Sequence, residues 1–279
     1  MSGSLAGLGL LGRTAVMGVL NVTPDSFSDG GLFSSVDAAV ARAKEMADEG
    51  ADFIDVGGES TRPGAEDVSV DEEISRTAPV VERIASLVAC PISIDTRKAT
   101  VAKAALDAGA WMVNDVSAGS FDPAMLPLVA DRRVPIALMH MRGTPQTMDG
   151  LVDYGDVVAV VRRELKDRVA AARHAGVEES AILLDPGLGF AKTARQSLEL
   201  LRRIDELKAD GYPIVVGPSR KRFVGAVHQT GVDDRLEGTL AACAWCAVHG
   251  VDVVRVHDVR TVRRTVEMIA AIKRGDVEG

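Results

Sequence analysis

Phe53-Ile-Asp-Val-Gly57 and Ile92-Ser-Ile-Asp95 are two short apolar runs, and residues 72–87 between them have the apolar spacing of a helix. A strand, a helix and a second strand in this order indicate a βαβ unit with parallel strands. The alternation continues along the chain. Its apolar runs are residues 15–22, 53–57, 92–95, 112–116, 136–140, 182–185, 214–217 and 253–257, and its helical segments are residues 36–48, 72–87, 99–108, 157–174, 197–208, 236–249 and 261–273.

Eight strand-like runs within 279 residues predict an α/β protein with one domain, a closed (β/α)8 TIM barrel. We expect this domain to span residues 1–279, with its core at about 15–272. An open doubly wound sheet is the alternative. That fold carries a glycine-rich dinucleotide turn after its first strand, whereas Val22 is followed here by Thr-Pro-Asp-Ser-Phe-Ser-Asp-Gly-Gly.

The composition narrows the class of protein. A net charge of −8 argues against general binding of nucleic acid. No apolar run reaches the length of a membrane span, and residues 1–11 lack the basic start and cleavage site of a signal peptide. Three cysteines suit a reducing compartment. We therefore expect a cytoplasmic protein without a membrane or nucleic-acid partner.

Two of the cysteines, Cys243 and Cys246, have the spacing of a redox pair. A redox pair belongs at the start of a helix, where the thiolate is stabilised. These two lie inside the helical segment 236–249. We favour the interpretation that both are packed core thiols.

Polar residues end the predicted strands. They are Asn21, Asp55, Asp95, Asn114, His140, Asp185, the pair Ser219 and Lys221, and His257. A single polar residue at this place is often a helix cap. In a (β/α)8 barrel all strands end on one face, where active sites lie. A polar residue at every strand end therefore predicts a cup rich in hydrogen-bond acceptors.

The carboxylates of this cup suit a particular ligand. A buried carboxylate needs a partner that donates hydrogen bonds, and the edge of a pterin or guanine-like ring offers two parallel donors. The alternative is internal pairing of the carboxylates with Lys221 or Arg220. Arg255 and His257 point to the same side of the last strand, where barrels of this type bind phosphate. They predict an anion site, although a solvated basic face is also possible for them.

The chain resembles the dihydropteroate synthase family over residues 15–272. Two motifs near the amino terminus carry the resemblance, Met17-Gly-Val-Leu-Asn-Val-Thr-Pro-Asp-Ser-Phe-Ser-Asp-Gly-Gly31 and Ile54-Asp-Val-Gly-Gly-Glu-Ser-Thr-Arg-Pro-Gly64. Further motifs follow at Ser93-Ile-Asp-Thr96, Asn114-Asp-Val-Ser117, Met139-His-Met-Arg-Gly143, Asp185-Pro-Gly-Leu-Gly-Phe190, Ser219-Arg-Lys221 and Arg255-Val-His-Asp258.

The resemblance implies a role for each matching residue. It places Asp55, Asp95, Asn114, Met139, Asp185, Phe190, Gly217 and Lys221 at the pterin, and Thr61, Arg62, Pro63, Phe190 and Ser219 at 4-aminobenzoate. It places Asn21, Arg255 and His257 at the diphosphate, with Asn21 also contacting Mg²⁺. It assigns catalysis to Lys221, Arg255, His257 and Asn21. Residues 23–33 and 59–70 match loops that order over the substrates.

The family implies a transferase of folate biosynthesis that forms a C–N bond. Its reaction joins (7,8-dihydropterin-6-yl)methyl diphosphate to 4-aminobenzoate and gives 7,8-dihydropteroate and diphosphate, with Mg²⁺ as cofactor. The resemblance also implies a homodimer and a sulfonamide target. The alternatives are a catalytically silent paralogue that binds pterin and a pterin-dependent methyltransferase domain. Apolar helix faces with Trp245 and Met268 serve either as the dimer interface or to pack the barrel.

Overall fold

Strands and helices alternate along the chain in a computed structural model that describes residues 13–23, 31–62 and 64–276, and of residues 31–35 the backbone alone. The strands of this part are β1 (Ala15–Asn21), β2 (Phe53–Gly57), β3 (Ile92–Asp95), β4 (Met112–Asp115), β5 (Ile136–Met139), β6 (Ile182–Asp185), β7 (Val215–Val216) and β8 (Val253–Val256). The helices are α1 (Gly31–Asp48), α2 (Val70–Ala85), α3 (Ala99–Asp107), α4 (Met125–Arg132), α5 (Val157–His174), α6 (Ala194–Arg202), α7 (Ile204–Lys208), α8 (Arg222–His228), α9 (Leu236–Val248) and α10 (Val259–Arg274).

The strands form one parallel sheet in the order β6-β5-β4-β3-β2-β1-β8-β7. Its two edges meet where Leu184 pairs with Ile214 in a parallel bridge. There the Leu184 N–H donates to the Pro213 carbonyl at 2.9 Å. The sheet is therefore a nearly closed (β/α)8 barrel, as the alternation predicts, and the doubly wound alternative is wrong.

An apolar layer fills the barrel interior at the amino ends of the strands. It consists of Ala15, Met17, Phe53, Met112, Ala137, Leu183, Val215 and Val253, each at most 1% exposed. Since side chains alternate along a strand, the residue two positions further on faces the same interior, one layer nearer the carboxyl ends. The apolar layer closes the barrel from below and gives the layer above it a floor.

The structure differs from the sequence prediction mainly in short elements. Helices α4 and α8 were not predicted, because eight or fewer residues carry too little periodicity. Arg203 divides the predicted helix 197–208 into α6 and α7, since its backbone leaves the helical region at φ −110° and ψ 28°. Helix α1 begins at Gly31, so residues 31–33 belong to a helix and not to a loop. Cys243 and Cys246 are buried inside α9, which confirms the interpretation as core thiols.

None of the helices in the described ranges is both long and apolar enough to cross a membrane.

Candidate active site

Polar side chains occupy the layer directly above the apolar floor. Five polar residues each lie two positions beyond an inward-facing residue at the level of the floor. They are Asp55, Asp95, Asn114, Asp185 and Arg255, and the residues below them are Phe53, Ser93, Met112, Leu183 and Val253. All five are therefore directed to the barrel interior at the carboxyl ends of the strands.

Arg255 connects two of the carboxylates. Its Nε donates to Asp55 Oδ2 at 2.5 Å, and its terminal nitrogen donates to Asp95 Oδ2 at 2.6 Å. Asn114 Nδ2 also donates to Asp55 Oδ2, at 2.9 Å. The carboxylates thus have an internal partner, but it is Arg255 and not the predicted Lys221 or Arg220. Arg220 instead forms an ion pair with Asp258 outside the pocket.

Asp185, Lys221 and Phe190 form the opposite side. Asp185 Oδ1 accepts from the Gly187 N–H at 2.7 Å. Lys221 Nζ donates to the Leu188 carbonyl at 2.9 Å and lies 4.2 Å from the centre of the Phe190 ring. A flat ligand between these groups and Asp95 would meet acceptors on one edge and an ammonium on another.

One pocket collects most of the predicted pterin residues. It is lined by Thr61, Asp95, Asn114, Val116, Met139, Asp185, Leu188, Phe190, Gly217, Lys221 and Arg255. Asp55 is fully buried behind it and reaches it only through Arg255 and Asn114.

Two of the three residues predicted at the diphosphate, Asn21 and His257, lie one layer nearer the mouth, whereas Arg255 lies in the layer of the carboxylates. Asn21 ends β1 beside Gly57, and His257 follows Arg255 by two positions. Ser219 Oγ lies 3.0 Å from His257 Nδ1 and accepts from the His257 backbone N–H at 3.2 Å. Of the residues predicted at 4-aminobenzoate, Thr61 lines the pocket and Arg62 is exposed. Pro63 lies outside the described residues, as do residues 24–30 of the first loop.

The loop from Glu59 to Val70 is held at its base and at its tip. Glu59 Oε1 accepts from the Val68 N–H at 2.8 Å, which closes the base. At the tip, the Gly64 N–H donates to the Pro145 carbonyl at 3.0 Å, and Gln146 Nε2 donates to the Ala65 carbonyl at 2.5 Å. The loop therefore rests on the segment after β5, with Thr61 at the pocket.

Burial shifts the pKa values of the pocket groups. Desolvation, with the neighbouring Asp55 charge, raises the pKa of Asp95 to about 7 against the opposing effect of Arg255. Desolvation lowers the pKa of Lys221 to about 8 and that of His257 to about 4. It also raises the pKa of Asp185, which Lys221 and Arg255 counteract. Such shifts are typical of binding and catalytic sites.

Comparison with known proteins identifies the family. Residues 17–257 match the family described as pterin binding enzyme. The dihydropteroate synthase of Synechocystis sp. is 50% identical over 263 residues, which cover 94% of this chain and 91% of the relative. The chain belongs to the dihydropteroate synthase family.

Two solved dihydropteroate synthases have the same fold. The Xanthomonas albilineans enzyme with 4-aminobenzoic acid has a TM-score of 0.90 and 44% identity, over 98% of this chain and 99% of that one. The Yersinia pestis enzyme in complex with a sulfonamide drug has a TM-score of 0.89 and 38% identity, over 94% and 95%.

Some residues around this dihydropteroate synthase pocket were missed by the sequence reasoning. Val116 and Leu188 line it, and the strand period signals the first, since Val116 follows Asn114 by two. His140 was placed in the cup, but its ring contacts Lys192 and Glu164 and does not line the pocket. Lys192 was also missed, because its contacts with His140 join it to a segment about fifty residues away.

The family resemblance implies a magnesium ion, and the residues at the mouth show which kind of magnesium site the chain could offer. Among the described residues, no group of three or more His, Cys, Asp or Glu side chains could hold a metal. Mg²⁺ commonly uses one or two protein oxygens and completes its shell with substrate phosphates and water. The Asn21 side-chain oxygen at the mouth fits this second kind of site.

Proposed function

We propose that this chain condenses (7,8-dihydropterin-6-yl)methyl diphosphate with 4-aminobenzoate, giving 7,8-dihydropteroate and diphosphate. The observation that carries the proposal is the convergence of Asp95, Asn114 and Asp185 with Lys221 and Arg255 around one enclosed pocket. Carboxylates opposite an ammonium complement the donor edge and the carbonyl of a pterin ring.

The pterin would be held by oxygens that the protein itself leaves available. Arg255 contacts only Oδ2 of Asp95, and Gly187 contacts only Oδ1 of Asp185. The second oxygen of each carboxylate can accept from ring N–H and amino groups. Lys221, placed over Phe190, would donate to the ring carbonyl.

The reaction breaks the bond between the pterin methylene carbon and the diphosphate oxygen. The electron pair leaves with diphosphate, and the dihydropterin ring delocalises the positive charge that develops on carbon. Asp95 and Asp185 would stabilise that charge, while Arg255 and His257 would stabilise the leaving diphosphate. Mg²⁺, held by Asn21 and the diphosphate, would neutralise leaving-group charge when bound.

The amine of 4-aminobenzoate then forms the new C–N bond and releases a proton. This substrate would bind next to Thr61, Phe190 and Ser219, with Arg62 and Pro63 beside them. The loop from Glu59 to Val70 closes against the segment after β5 and would exclude the water that competes for the cation.

An assay with both substrates and Mg²⁺ tests the proposal, with diphosphate and dihydropteroate followed by mass spectrometry. We expect the two products to appear together and a sulfonamide to inhibit their formation. Pterin binding without either product would indicate a silent paralogue. Transfer of a methyl group without diphosphate release would indicate a methyltransferase.

Asp185→Asn is expected to weaken dihydropterin binding about thirtyfold to a hundredfold, or about 2–3 kcal/mol. The amide oxygen can still accept from the Gly187 N–H, but the amide nitrogen would face a ring donor. Calorimetric titration with 6-hydroxymethyl-7,8-dihydropterin measures the affinity. Asp149→Asn, which changes an exposed carboxylate paired with Arg222, is the control. Unchanged affinity in Asp185→Asn would remove Asp185 from the pterin site.

Dihydropterin affinity is expected to be bell-shaped in pH. It falls on the acid side as Asp95, with a pKa of about 7, gains a proton and loses its acceptor charge. It falls on the alkaline side as Lys221, with a pKa of about 8, loses the proton it donates. Titration with a ligand that lacks diphosphate keeps the ionisation of the diphosphate out of the profile. Asp95→Asn should move the acid limb and Lys221→Gln the alkaline limb, and a flat wild-type profile would contradict both assignments.

We further propose that the chain forms a homodimer and acts in the cytoplasm. Apolar side chains on the carboxyl-terminal helices face outward, with Val227, Trp245, Met268 and Ile272 between 43% and 67% exposed. A groove between α6, α8 and α9 is lined by Leu198, Phe223 and Trp245. The exposed side chains of these helices are not used to pack the barrel, and exposed apolar patches often mark an interface. Light scattering should give twice 29.4 kDa for the wild type and a monomer for Trp245→Glu; a wild-type monomer would contradict the proposal.

A further inference from the structure

A buried lysine lies behind the segment that carries Phe190. Lys192 is 2% exposed. Its Nζ donates to the Phe190 carbonyl at 2.9 Å and to the His140 carbonyl at 3.3 Å, and lies 2.9 Å from His140 Nδ1. Within residues 13–23, 31–62 and 64–276, no carboxylate forms an ion pair with it. Desolvation lowers the pKa of Lys192 to about 7, so its burial is costly and its polar contacts must hold it in place.

His140 supplies one of these contacts through a defined tautomer. Burial and the Lys192 charge lower the pKa of His140 to about 3, so the ring is neutral. In its ammonium form Lys192 has only donors, so Nδ1 is then the acceptor and Nε2 carries the proton. Nε2 lies 2.8 Å from Glu164 Oε2, and Glu164 is also paired with Arg142. The chain of contacts therefore fixes Lys192 from the outer side of the barrel.

The segment between Asp185 and Lys192 needs such support. Ala191 has a φ of 49°, in the left-handed region that an alanine seldom adopts. Gly187 has a φ of 67°, and a Cβ atom there would lie 2.0 Å from the His140 carbonyl oxygen. The backbone thus lies tightly against the end of β5. A strained residue of this kind persists where its surroundings hold it, and Lys192 bonds to both sides of the contact.

We propose that Lys192 is a positioning residue for Phe190. Its ammonium ties the Phe190 carbonyl to the end of β5 and thereby fixes the ring on which Lys221 rests and which receives 4-aminobenzoate. The pterin acceptors Asp95 and Asn114 lie on β3 and β4 and do not contact Lys192. Asp185 ends β6 directly before this segment, where hydrogen bonds with the backbone N–H groups of Gly187 and His140 hold it. The inference rests on the proposed function for its kinetic test.

Lys192→Met is the direct variant, since it keeps the length of the side chain and removes the donors. We expect the KM for 4-aminobenzoate to rise about tenfold. Pterin affinity should fall by a smaller factor, because Phe190 also lines the pterin pocket and supports Lys221. Lys208→Met is the matched control, because Lys208 Nζ also donates to a carbonyl, that of His249, but at the other end of the barrel. If Lys192→Met does not fold, Lys192→Gln takes its place, because it removes the ammonium and its shorter amide cannot keep all three contacts of Lys192.

A double-mutant cycle with Phe190→Ala separates positioning from general support. If Lys192 acts through Phe190, the double variant has the KM of Phe190→Ala alone. Additive effects, an unchanged KM, or equal weakening of both substrates would overturn the proposal.

A spectroscopic test does not require turnover. In Lys192→Met, the His140 Nδ1 signal and the amide signal of Ala191, whose peptide group contains the Phe190 carbonyl, should both shift in ¹⁵N spectra. Unmoved signals would overturn the inference even in an active enzyme. A wild type that makes no dihydropteroate would instead contradict the proposed function and leave this spectroscopic test in force.

Discussion

Arg255→Ala is expected to lower kcat about a thousandfold, the scale found when a donor that stabilises developing charge is removed. The guanidinium is shared between Asp55 and Asp95, which leaves its remaining N–H groups to donate to the diphosphate in the proposed reaction. Without it, no other described cation forms an ion pair with either carboxylate. We therefore expect the pKa of Asp95 to rise further, which weakens pterin binding at neutral pH by a smaller factor.

The two effects separate in alkaline buffer, where Asp95 is ionised again. There the pterin affinity of Arg255→Ala should approach that of the wild type measured at the same pH, while kcat stays low. Arg255→Lys keeps the charge but cannot bridge both carboxylates, and we expect an intermediate kcat. Arg222→Ala, which removes an exposed arginine paired with Asp149, is the control. If Arg255→Ala bound pterin poorly at every pH but turned over normally once saturated, its role would be to order the carboxylates and not to stabilise the leaving group.

Much of this pocket could be predicted from the strand period alone. Four strands each contain an apolar residue followed two positions later by a polar one. The pairs are Phe53 and Asp55, Met112 and Asn114, Leu183 and Asp185, and Val253 and Arg255. The apolar member lies in the floor and the polar member above it. Once the barrel is predicted, this spacing places the polar residues in a single layer. Family resemblance then supplies the roles, which stay predictions until variants are measured.

What the sequence did not predict depends on closure of the barrel. Arg255 reaches Asp55 because β8 lies next to β1 and β1 lies next to β2. The two residues are 200 positions apart in the sequence. Lys192 does not line the pocket, and its partner His140 follows β5, one strand before the β6 strand that leads to Lys192. Nothing in the local pattern around either residue indicates these contacts, since both arise from the order of strands around the ring.

A second group of buried charges underlies the loop that carries Thr61. Lys98, at the start of α3, donates to Glu59 Oε1 at 3.0 Å, to Glu73 Oε2 at 2.7 Å and to the Val68 carbonyl at 2.6 Å. Arg97 donates to Glu59 Oε2 at 3.2 Å. The side chains of these four residues are at most 9% exposed. Two cations thus balance two carboxylates beneath the base of the loop.

Lys98→Met is expected to lower the free energy of unfolding by about 3–5 kcal/mol, because removal of one partner leaves an uncompensated buried charge. Denaturant unfolding measures the change. The control is Lys103→Met on the same helix, whose exposed ion pair with Asp107 is worth less than about 1 kcal/mol. Lys98→Met/Glu73→Gln should recover part of the loss, since it also neutralises a carboxylate. A loss below about 1 kcal/mol in Lys98→Met would show that solvent satisfies the cluster.

The same variant separates loop position from pterin binding. Lys98 donates to the Val68 carbonyl, and Glu59 accepts from the Val68 N–H. When the ammonium is removed, Val68 loses the donor to its carbonyl, and Glu59 loses one of its cation partners. The pterin acceptors contact neither residue. At a temperature where the variant remains folded, we expect the KM for 4-aminobenzoate to rise more than about tenfold with little change in pterin affinity. Equal loss of both affinities would mean that the cluster supports the barrel mouth as a whole, whereas a selective change would make it the anchor of the loop.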